Sequence, residues 1–600
     1  MKRLLPYIRR YQWFFLIGLV FVVLKNFFQS ASPQFIKIAI DSLQPASLSI
    51  PFDLGPLLRT LEAWSGIGLL GISIGLFLFM EIANGIFLYA MRRTLIVSSR
   101  RIEYDLRGDL FSHLQRLDVN FFNYAQTGDL MSRMTNDLSN VRDVLGPGIM
   151  YTANMVVSFA YVLPLMIQIS PKLTLLSFVP LIVLSIAINQ LSKLIHTRSK
   201  RVQEKLADIS SRAQENFSGI RVIKAFVREA FEIDRFRGLN REYIELNMAM
   251  VRVRGLMMSS VILTIGLSVT VLLWYGGALV MDGTMTLGEF TAFNFYLAML
   301  IWPMIALGWV LNIFQRGSAA MKRLNEIFET KPGISDSPFA RPMPSVRGRI
   351  TIKNLTFAYK DTTVLSNIDL VVEPGMTVAI VGHTGSGKST LVNLIPRLYD
   401  VPPGMIFIDD REIHDIPLSD LRMAIGMVPQ DNFLFSDSIL QNVLFGDARA
   451  ESKEVLWAID TAQMTENISE FPEKIDTIIG ERGITLSGGQ KQRLAIARAI
   501  LRKPAILILD DALSSVDTHT EEEILNQLRG LMHNRTTIMV SHRIQTIKNS
   551  DLILVMKDGR IEERGTHQTL LAQDGLYSDM HNRQLLEEEV AAFDNATPLS

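Results

Sequence analysis

The stretch Val378-Ala379-Ile380-Val381-Gly382-His383-Thr384-Gly385-Ser386-Gly387-Lys388-Ser389-Thr390 sets the fold of the second half of the chain. An apolar run of strand type enters a glycine-rich turn, and Lys-Ser-Thr then opens an apolar helix. This is the complete G-x-x-x-x-G-K-[ST] pattern in the strand-turn-helix setting it requires. The glycines let successive backbone N–H groups turn toward phosphate, and the helix N-terminus adds its positive end. Lys388 is expected to reach β and γ phosphates, and Ser389 to offer a hydroxyl to Mg²⁺. About 120 residues further on, the apolar run 505–509 ends in Asp510, and Asp511 follows at once. Alone, such a run is a strand meeting a polar loop; beside a phosphate loop, Asp510 is the carboxylate expected to hold Mg²⁺ through water.

Around this stretch, residues 347–590 alternate short β-branched runs (350–352, 378–381, 506–509, 537–540) with helical segments. That pattern predicts an α/β domain with a largely parallel sheet. Residues 331–346, with Pro332, Pro338, Pro342 and Pro344, resist helix and read as a linker. Residues 591–600 read as a tail. No internal repeat is visible.

Residues 1–330 have a different character. Six apolar runs, at 13–24, 67–91, 144–171, 173–192, 255–280 and 290–314, approach the roughly 20 residues an α-helix needs to cross hydrocarbon, and the second half has none. The first run meets Lys25 and the second contains Glu81. No small-residue cleavage site follows the first run, so it is expected to stay as a helix. Positive charge concentrates between runs two and three (Arg92, Arg93, Arg100, Arg101, Arg107, Arg116, Arg133, Arg142) and between four and five (Lys193, Arg198, Lys200, Arg201, Lys205, Arg212, Arg221, Lys224, Arg228). The opposite connections hold only Lys37 and Arg59, and Lys172. The excess of Lys and Arg puts the two rich connections, both termini and the α/β domain on the cytoplasmic side, and the membrane is expected to be the cell inner (plasma) membrane. At about fifty to sixty residues these connections are too long for structureless loops. They are expected as helices continuing out of the membrane, joined by short crosswise segments near 121–137 and 219–236.

Over 600 residues, 60 basic and 60 acidic side chains cancel, which argues against a nucleic-acid partner held by bulk positive charge. Hydrophobic residues make up 48% and charged residues 20%, and the two are segregated along the chain. The absence of cysteine excludes a disulfide framework, a Cys-ligated zinc or iron–sulfur site, a thiol nucleophile and a lipoprotein anchor.

Between the phosphate loop and Asp510 stands Leu486-Ser487-Gly488-Gly489-Gln490-Lys491-Gln492-Arg493, followed by an apolar helix. Read locally, it is a Ser-capped helix after a glycine turn. Read with the phosphate loop, Leu-Ser-Gly-Gly-Gln resembles the signature of the ATP-binding cassette (ABC) family. The resemblance implies that Ser487, Gly488, Gly489 and Gln490 close over the γ-phosphate of ATP held by a second cassette, so that two cassettes sandwich two nucleotides head to tail. It further implies that Gly382, His383, Thr384, Gly385, Ser386, Gly387, Lys388, Ser389 and Thr390 hold this chain's ATP. Tyr359, in Phe357-Ala358-Tyr359, matches the aromatic that stacks on adenine. Gln430, in Val428-Pro429-Gln430, matches the glutamine that contacts Mg²⁺ and water, and His542, in Ser541-His542-Arg543, the histidine on the γ-phosphate. Ser514-Ser515-Val516-Asp517 resembles the loop that couples the two sites, and Gly480-Glu481-Arg482-Gly483 an exporter motif that touches helix tips.

Six spans, long helix extensions and one cassette on a single chain resemble an exporter half-transporter. No peptidase segment precedes the first span, which argues against a bacteriocin-processing exporter. One position departs from the family pattern: Asp511 stands where competent cassettes carry Glu, the residue that positions the attacking water, and Leu513 replaces a small polar residue. Asp and Glu have similar basicity. The shorter side chain, however, withdraws the carboxylate by roughly 1.5 Å, and a 1 Å misplacement costs on the order of 100-fold. The expectation is an ATP site that binds but hydrolyses poorly, resembling the degenerate subunit of heterodimeric bacterial multidrug exporters. Its partner would be a second half-transporter, with a heterodimer preferred over a homodimer, and its cargo lipophilic or amphipathic small molecules met in membrane lipid. The competing readings are a homodimeric lipid flippase and an ATP-gated regulator or channel. In the membrane half, Glu81 either contacts substrate or protons or hydrogen-bonds between helices. Phe295, Trp302 and Trp309, at seven-residue spacing, either line a cavity or form a packing stripe.

Overall fold

The computed structural model describes residues 2–43, 60–64, 66–480, 486–532 and 534–596. Arg59, Glu481, Arg482, Gly483 and residues 597–600 of the tail lie outside them. The chain divides into two compact units, Met1–Gln115 with Gln126–Thr330, and Arg116–Ala125 with Lys331–Ser600.

The first unit holds six helices long and apolar enough to cross a membrane among the described residues: Gln12–Asp41, Leu69–Leu114, Thr127–Ile169, Pro171–Ser218, Glu229–Met281 and Leu287–Glu329. Four of them follow or precede the basic connections, and at 1.5 Å per residue a helix of this length runs about 65–80 Å, over twice the hydrocarbon thickness. The expected extensions are therefore continuous helix. The connectors are tighter than 121–137 and 219–236: the short helices are Val119–Tyr124 and Ile220–Ala225, and regular helix resumes at Thr127 and Glu229. Asp118 caps the first of these by accepting from Phe121 N at 3.0 Å.

Charge that seemed to end the first span is absorbed inside it. Helix Gln12–Asp41 continues past both Lys25 and Lys37, and both are buried. Lys25 Nζ donates to the Gln29 side chain and to Asn154 Oδ1 (3.3 Å), and Asn26 Nδ2 donates to the same Asn154 oxygen at 3.0 Å. Lys37 pairs with Glu289 at 2.8 Å. Lys37 is thus a helix residue and not part of an outer connection. Beside it, the Asp41 carboxylate accepts from Gly288 N and Thr286 Oγ1, each at 2.9 Å, at the capped start of the sixth helix. Only glycine permits this approach, since a Cβ at position 288 would lie 2.4 Å from the Lys37 carbonyl oxygen.

The second unit carries two sheets among the described residues. Strands β1 (Ile350–Tyr359), β2 (Thr362–Val372), β4 (Ile406–Ile408) and β5 (Arg411–Glu412) form an antiparallel sheet in the order β2-β1-β4-β5. Strands β3 (Thr377–Gly382), β6 (Ile425–Val428), β7 (Ile506–Asp510), β8 (Thr536–Val540), β9 (Leu552–Lys557) and β10 (Arg560–Gly565) form the second, in the order β10-β9-β3-β8-β7-β6. All its neighbours are parallel except β10 against β9. The expected parallel sheet therefore exists, but the run 350–352 belongs to the antiparallel one. Ile350 and Ile352 bury their side chains on a core shared with β3, and this fits either sheet.

Candidate functional site

In a parallel sheet the helices that follow the strands leave a crevice at the strands' carboxyl ends. Four adjacent strands send their expected site residues there. Strand β3 feeds the phosphate loop, β6 leads to Gln430, β7 ends in Asp510, and β8 leads to His542. The register locks these ends together, with Asp510 opposite Val540 and Ile380 opposite Val540 on the other side. A cavity of about 250 Å³ results, lined by Thr384, Gly385, Gly387, Lys388, Ser389, Thr390, Gln430, Asp510, Asp511 and His542.

The loop enters its helix Lys388–Leu394 through Gly387, whose φ is +96° and where an added Cβ would lie 2.8 Å from the Leu365 side chain, so both the backbone and the space favour glycine. Lys388 is buried, and its Nζ donates to the carbonyls of Gly382 (2.8 Å) and His383 (2.9 Å). Burial pushes the Lys388 ammonium below the usual lysine range, and Asp510 and Asp511 work against that shift. Ser389 Oγ donates to Asp510 Oδ1 at 3.0 Å. Burial raises the Asp510 carboxyl, the Ser389 hydrogen bond and Lys388 lower it, and Asp511 adds to the rise. A hydroxyl and a carboxylate held together are hard oxygen donors that suit Mg²⁺. Ser386 Oγ is buried without a hydrogen-bond partner among the described residues, as suits a hydroxyl kept for a phosphate oxygen.

Asp511 takes a left-handed backbone with φ of +50°, which Asp tolerates better than most residues, and its N–H donates to the Val540 carbonyl at 2.9 Å. Burial and the neighbouring Lys388 hold the His542 imidazole below the ordinary histidine range, with Asp511 opposing them. Tyr359 does not line this cavity. It ends β1, its hydroxyl lies 3.4 Å from Thr390 Oγ1, and its ring meets Tyr399 edge-on at 5.1 Å. Within the same unit, Tyr399 OH accepts from Asn123 Nδ2 at 2.9 Å and the Lys360 ammonium lies 3.5 Å from the centre of the Tyr124 ring.

Ser487, Gly488, Gly489 and Gln490 do not line the cavity either. Ser487 caps helix Gly488–Leu501: its Oγ accepts from Gln490 N (3.3 Å) while Gln490 Oε1 accepts from Ser487 N (2.9 Å). The local reading of a capped helix is therefore realised, and it leaves glycine amides at a helix N-terminus. Two residues that the motifs did not single out hold residues 511–516, one from this helix and one from the loop after His542. Gln492 is buried against residues 511–515, and Arg543 donates to the carbonyls of Ser514 and Val516, each at 3.2 Å. Gln492 shares a helix face with Ile496 and Ile500, so a polar residue at a core position was its signal. In the membrane unit, Glu81 accepts from Asn84 at 3.3 Å, and Phe295, Trp302 and Trp309 are exposed on the sixth helix, with Trp309 edge-on to Tyr151 at 5.1 Å.

Residues 15–304 match the ABC transporter transmembrane region and residues 365–514 the ABC transporter domain. The chain belongs to the ABC transporter family. The probable multidrug resistance ABC transporter ATP-binding/permease protein YheI of Bacillus subtilis (strain 168) is 36% identical, over 98% of both chains. The multidrug resistance-like ATP-binding protein MdlA of Escherichia coli (strain K12) is 38% identical over 85% of this chain and 86% of that one. The ATP-dependent lipid A-core flippase of Syntrophus aciditrophicus (strain SB) is 38% identical over 82% of each. A bacterial Atm1-family ABC exporter solved with ATP bound superposes with a TM-score of 0.76 at 27% identity, covering 96% of this chain and 98% of that one. This chain is thus a multi-pass membrane protein of the exporter half-transporter type, a six-helix transmembrane domain fused to an ATP-binding cassette, and an ATPase coupled to transport.

Proposed function

We propose that the chain is one half of a dimeric exporter in the inner membrane, with cassette and both termini cytoplasmic, that moves lipophilic or amphipathic compounds outward. The observation that carries this reading is the convergence of Lys388, Gln430, Asp510, Asp511 and His542 at the carboxyl ends of four adjacent strands. In it, Lys388 and the loop amides hold the phosphates of ATP, Tyr359 faces the adenine and His542 meets the γ-phosphate. Ser389, Asp510 and Gln430 would hold Mg²⁺, which neutralises phosphate charge. Ser487, Gly488, Gly489 and Gln490 serve the nucleotide of the partner. Asp511 is one methylene short of the water it would position, so this chain's own site turns over slowly, and a heterodimer whose other half supplies Glu there accounts for transport. The relatives named for multidrug resistance support a lipophilic cargo, and the one named as a flippase supports a lipid as the second reading.

The test is ATP-driven uptake into inside-out vesicles holding the chain and its partner. Accumulation of a lipophilic dye, lost when Lys388→Ala is combined with the equivalent change in the partner's phosphate loop, is the expected result; transfer of a fluorescent lipid without dye uptake favours the flippase. Passive ion conductance on adding ATP, with no accumulation of either probe, would favour a channel and sink the exporter reading.

A further inference from the structure

We propose that Gln584 is a positioning residue for His542, so that the C-terminal helix Leu576–Ala596 is part of the apparatus that senses the γ-phosphate. The proposal rests on the role given above to His542. Gln584 Nε2 donates to the His542 carbonyl, and its Oε1 accepts from Ile544 N at 2.9 Å. One side-chain amide thus spans His542, Arg543 and Ile544. Ile544 opens the short helix Ile544–Ile547, whose N-cap residue Arg543 makes no side-chain cap hydrogen bond. Gln584 supplies from another element the partner that a first-turn N–H otherwise lacks.

The seat of the C-terminal helix explains why Gln584 points there. Leu576 N and Tyr577 N donate to the Glu563 carboxylate at 2.6 and 3.1 Å. Tyr577 is fully buried and its hydroxyl lies 2.7 Å from His567 Nδ1. Met580 packs on the same core. Tyr577, Met580 and Gln584 follow at i, i+3 and i+7, on one face, so docking the first turn aims Gln584 two turns later at the histidine loop. On the other side, Ser541 Oγ accepts from Arg543 N at 3.0 Å and Arg543 reaches the carbonyl of Val516. The peptide of His542 is therefore held between the loop after Asp511 and the C-terminal helix. Releasing the Gln584 end frees that peptide to rotate and moves the imidazole on the length scale that matters for a phosphate contact.

The experiment measures MgATP and MgADP binding to the full-length chain in nanodiscs by displacement of a fluorescent nucleotide. Gln584→Met keeps length and removes both hydrogen bonds; ATP affinity should fall about 5-fold, the scale of one lost hydrogen bond, while ADP affinity stays put. His542→Ala should lower the ATP/ADP ratio as well, and Gln584→Met should add nothing in that background. Gln584→Glu, which accepts from Ile544 but cannot donate to His542, should fall between, and it decides the matter if Gln584→Met unfolds. Equal weakening of both nucleotides, or none, while His542→Ala still lowers the ratio, would overturn the role of Gln584 alone. An unchanged ratio in His542→Ala would instead reject the γ-phosphate reading of His542 on which the proposal stands.

Discussion

Gln492 donates a side-chain hydrogen bond to the backbone carbonyl of Asp511 at 3.2 Å. The same buried amide donates to Ser514 Oγ and accepts from Ser515 N, both at 2.9 Å. Its helix begins at Ser487, which is assigned to the partner's nucleotide, whereas Asp511 lines the cavity of this chain's own. Within one chain, the signature helix and the loop after Asp511 are thus fastened to each other by a side chain that donates twice and accepts once.

Gln492→Leu should therefore loosen both half-sites at once. It leaves the Ser515 N–H without its partner, at about 1–3 kcal/mol if that group stays buried, while the Asp511 carbonyl keeps the hydrogen bond from Ser514 Oγ. Calorimetry should show the cassette melting several degrees lower, and ATPase activity of the complex should drop at least about 10-fold, with Gln492→Glu, which keeps the acceptor, in between. Wild-type melting and turnover in Gln492→Leu would mean that the joint is idle.

Lys388→Ala should nearly abolish ATP photolabelling of this chain, because it removes the buried ammonium at the phosphate loop. Tyr359→Ala should weaken labelling only by roughly 2- to 10-fold, since an aromatic contact is worth about 0.5–1.5 kcal/mol. Equal labelling of Lys388→Ala and wild type would contradict the assignment of the loop.

Acidification should destabilise the cassette partly through His542. Its pKa in the fold lies below the ordinary 6.5 because of burial and Lys388. The unfolded chain then binds the proton first, so stability is complete above 6.5 and falls as pH drops toward the folded value. Asp510, raised by burial, acts with the opposite sign in the acidic range, stabilising the protonated form until pH rises through its folded value. The comparison that isolates the histidine is the melting temperature of His542→Gln against wild type between pH 7.5 and about 5.5. The wild type should lose more, and parallel curves would count against the shift.

The native chain has no cysteine, so single-cysteine labelling reads topology directly. Asp282→Cys, in the exposed turn before the sixth helix, should react with an impermeant maleimide from outside. Ser218→Cys, at the end of the fourth helix, should react only after permeabilisation. The reverse pattern would invert the six-span orientation.

What the sequence made legible was whatever is written locally. The strand-turn-helix around Gly382–Thr390 forms where its pattern puts it, because glycine conformations and an apolar strand leave few alternatives. Four of the six helices were equally legible, since an uncharged run of this length forms a helix to satisfy its backbone in lipid. Lys25 and Lys37 misled the reading of the first span because their compensation comes from Gln29, Asn154 and Glu289, the last two of them distant in sequence. Ile350–Ile352 could not be told from a parallel strand, because a short apolar run looks the same when buried in either sheet. Gln492 had a faint signal in helical periodicity. Asn123 stood in the stretch expected as a helix tip, but nothing local named its partner Tyr399, and Gln584 had no signal, because what it does depends on which loop the fold brings within reach.

The central claim is an asymmetric pair of ATP sites, and the ATPase rate of the purified two-chain complex tests it most directly. Ser487→Arg in this chain places a bulky cation where the partner's γ-phosphate should sit, and it should abolish nearly all turnover. It also removes a helix cap worth about 1 kcal/mol, so Ser487→Ala, which loses the same cap without the bulk, serves as its control and should keep clearly more activity. On the proposed asymmetry, Asp511→Ala should cost far less than Ser487→Arg, because the site that Asp511 serves would contribute little hydrolysis. If Asp511→Ala is as damaging as Ser487→Arg, Asp511 is a working catalytic carboxylate and the degenerate-site reading is wrong.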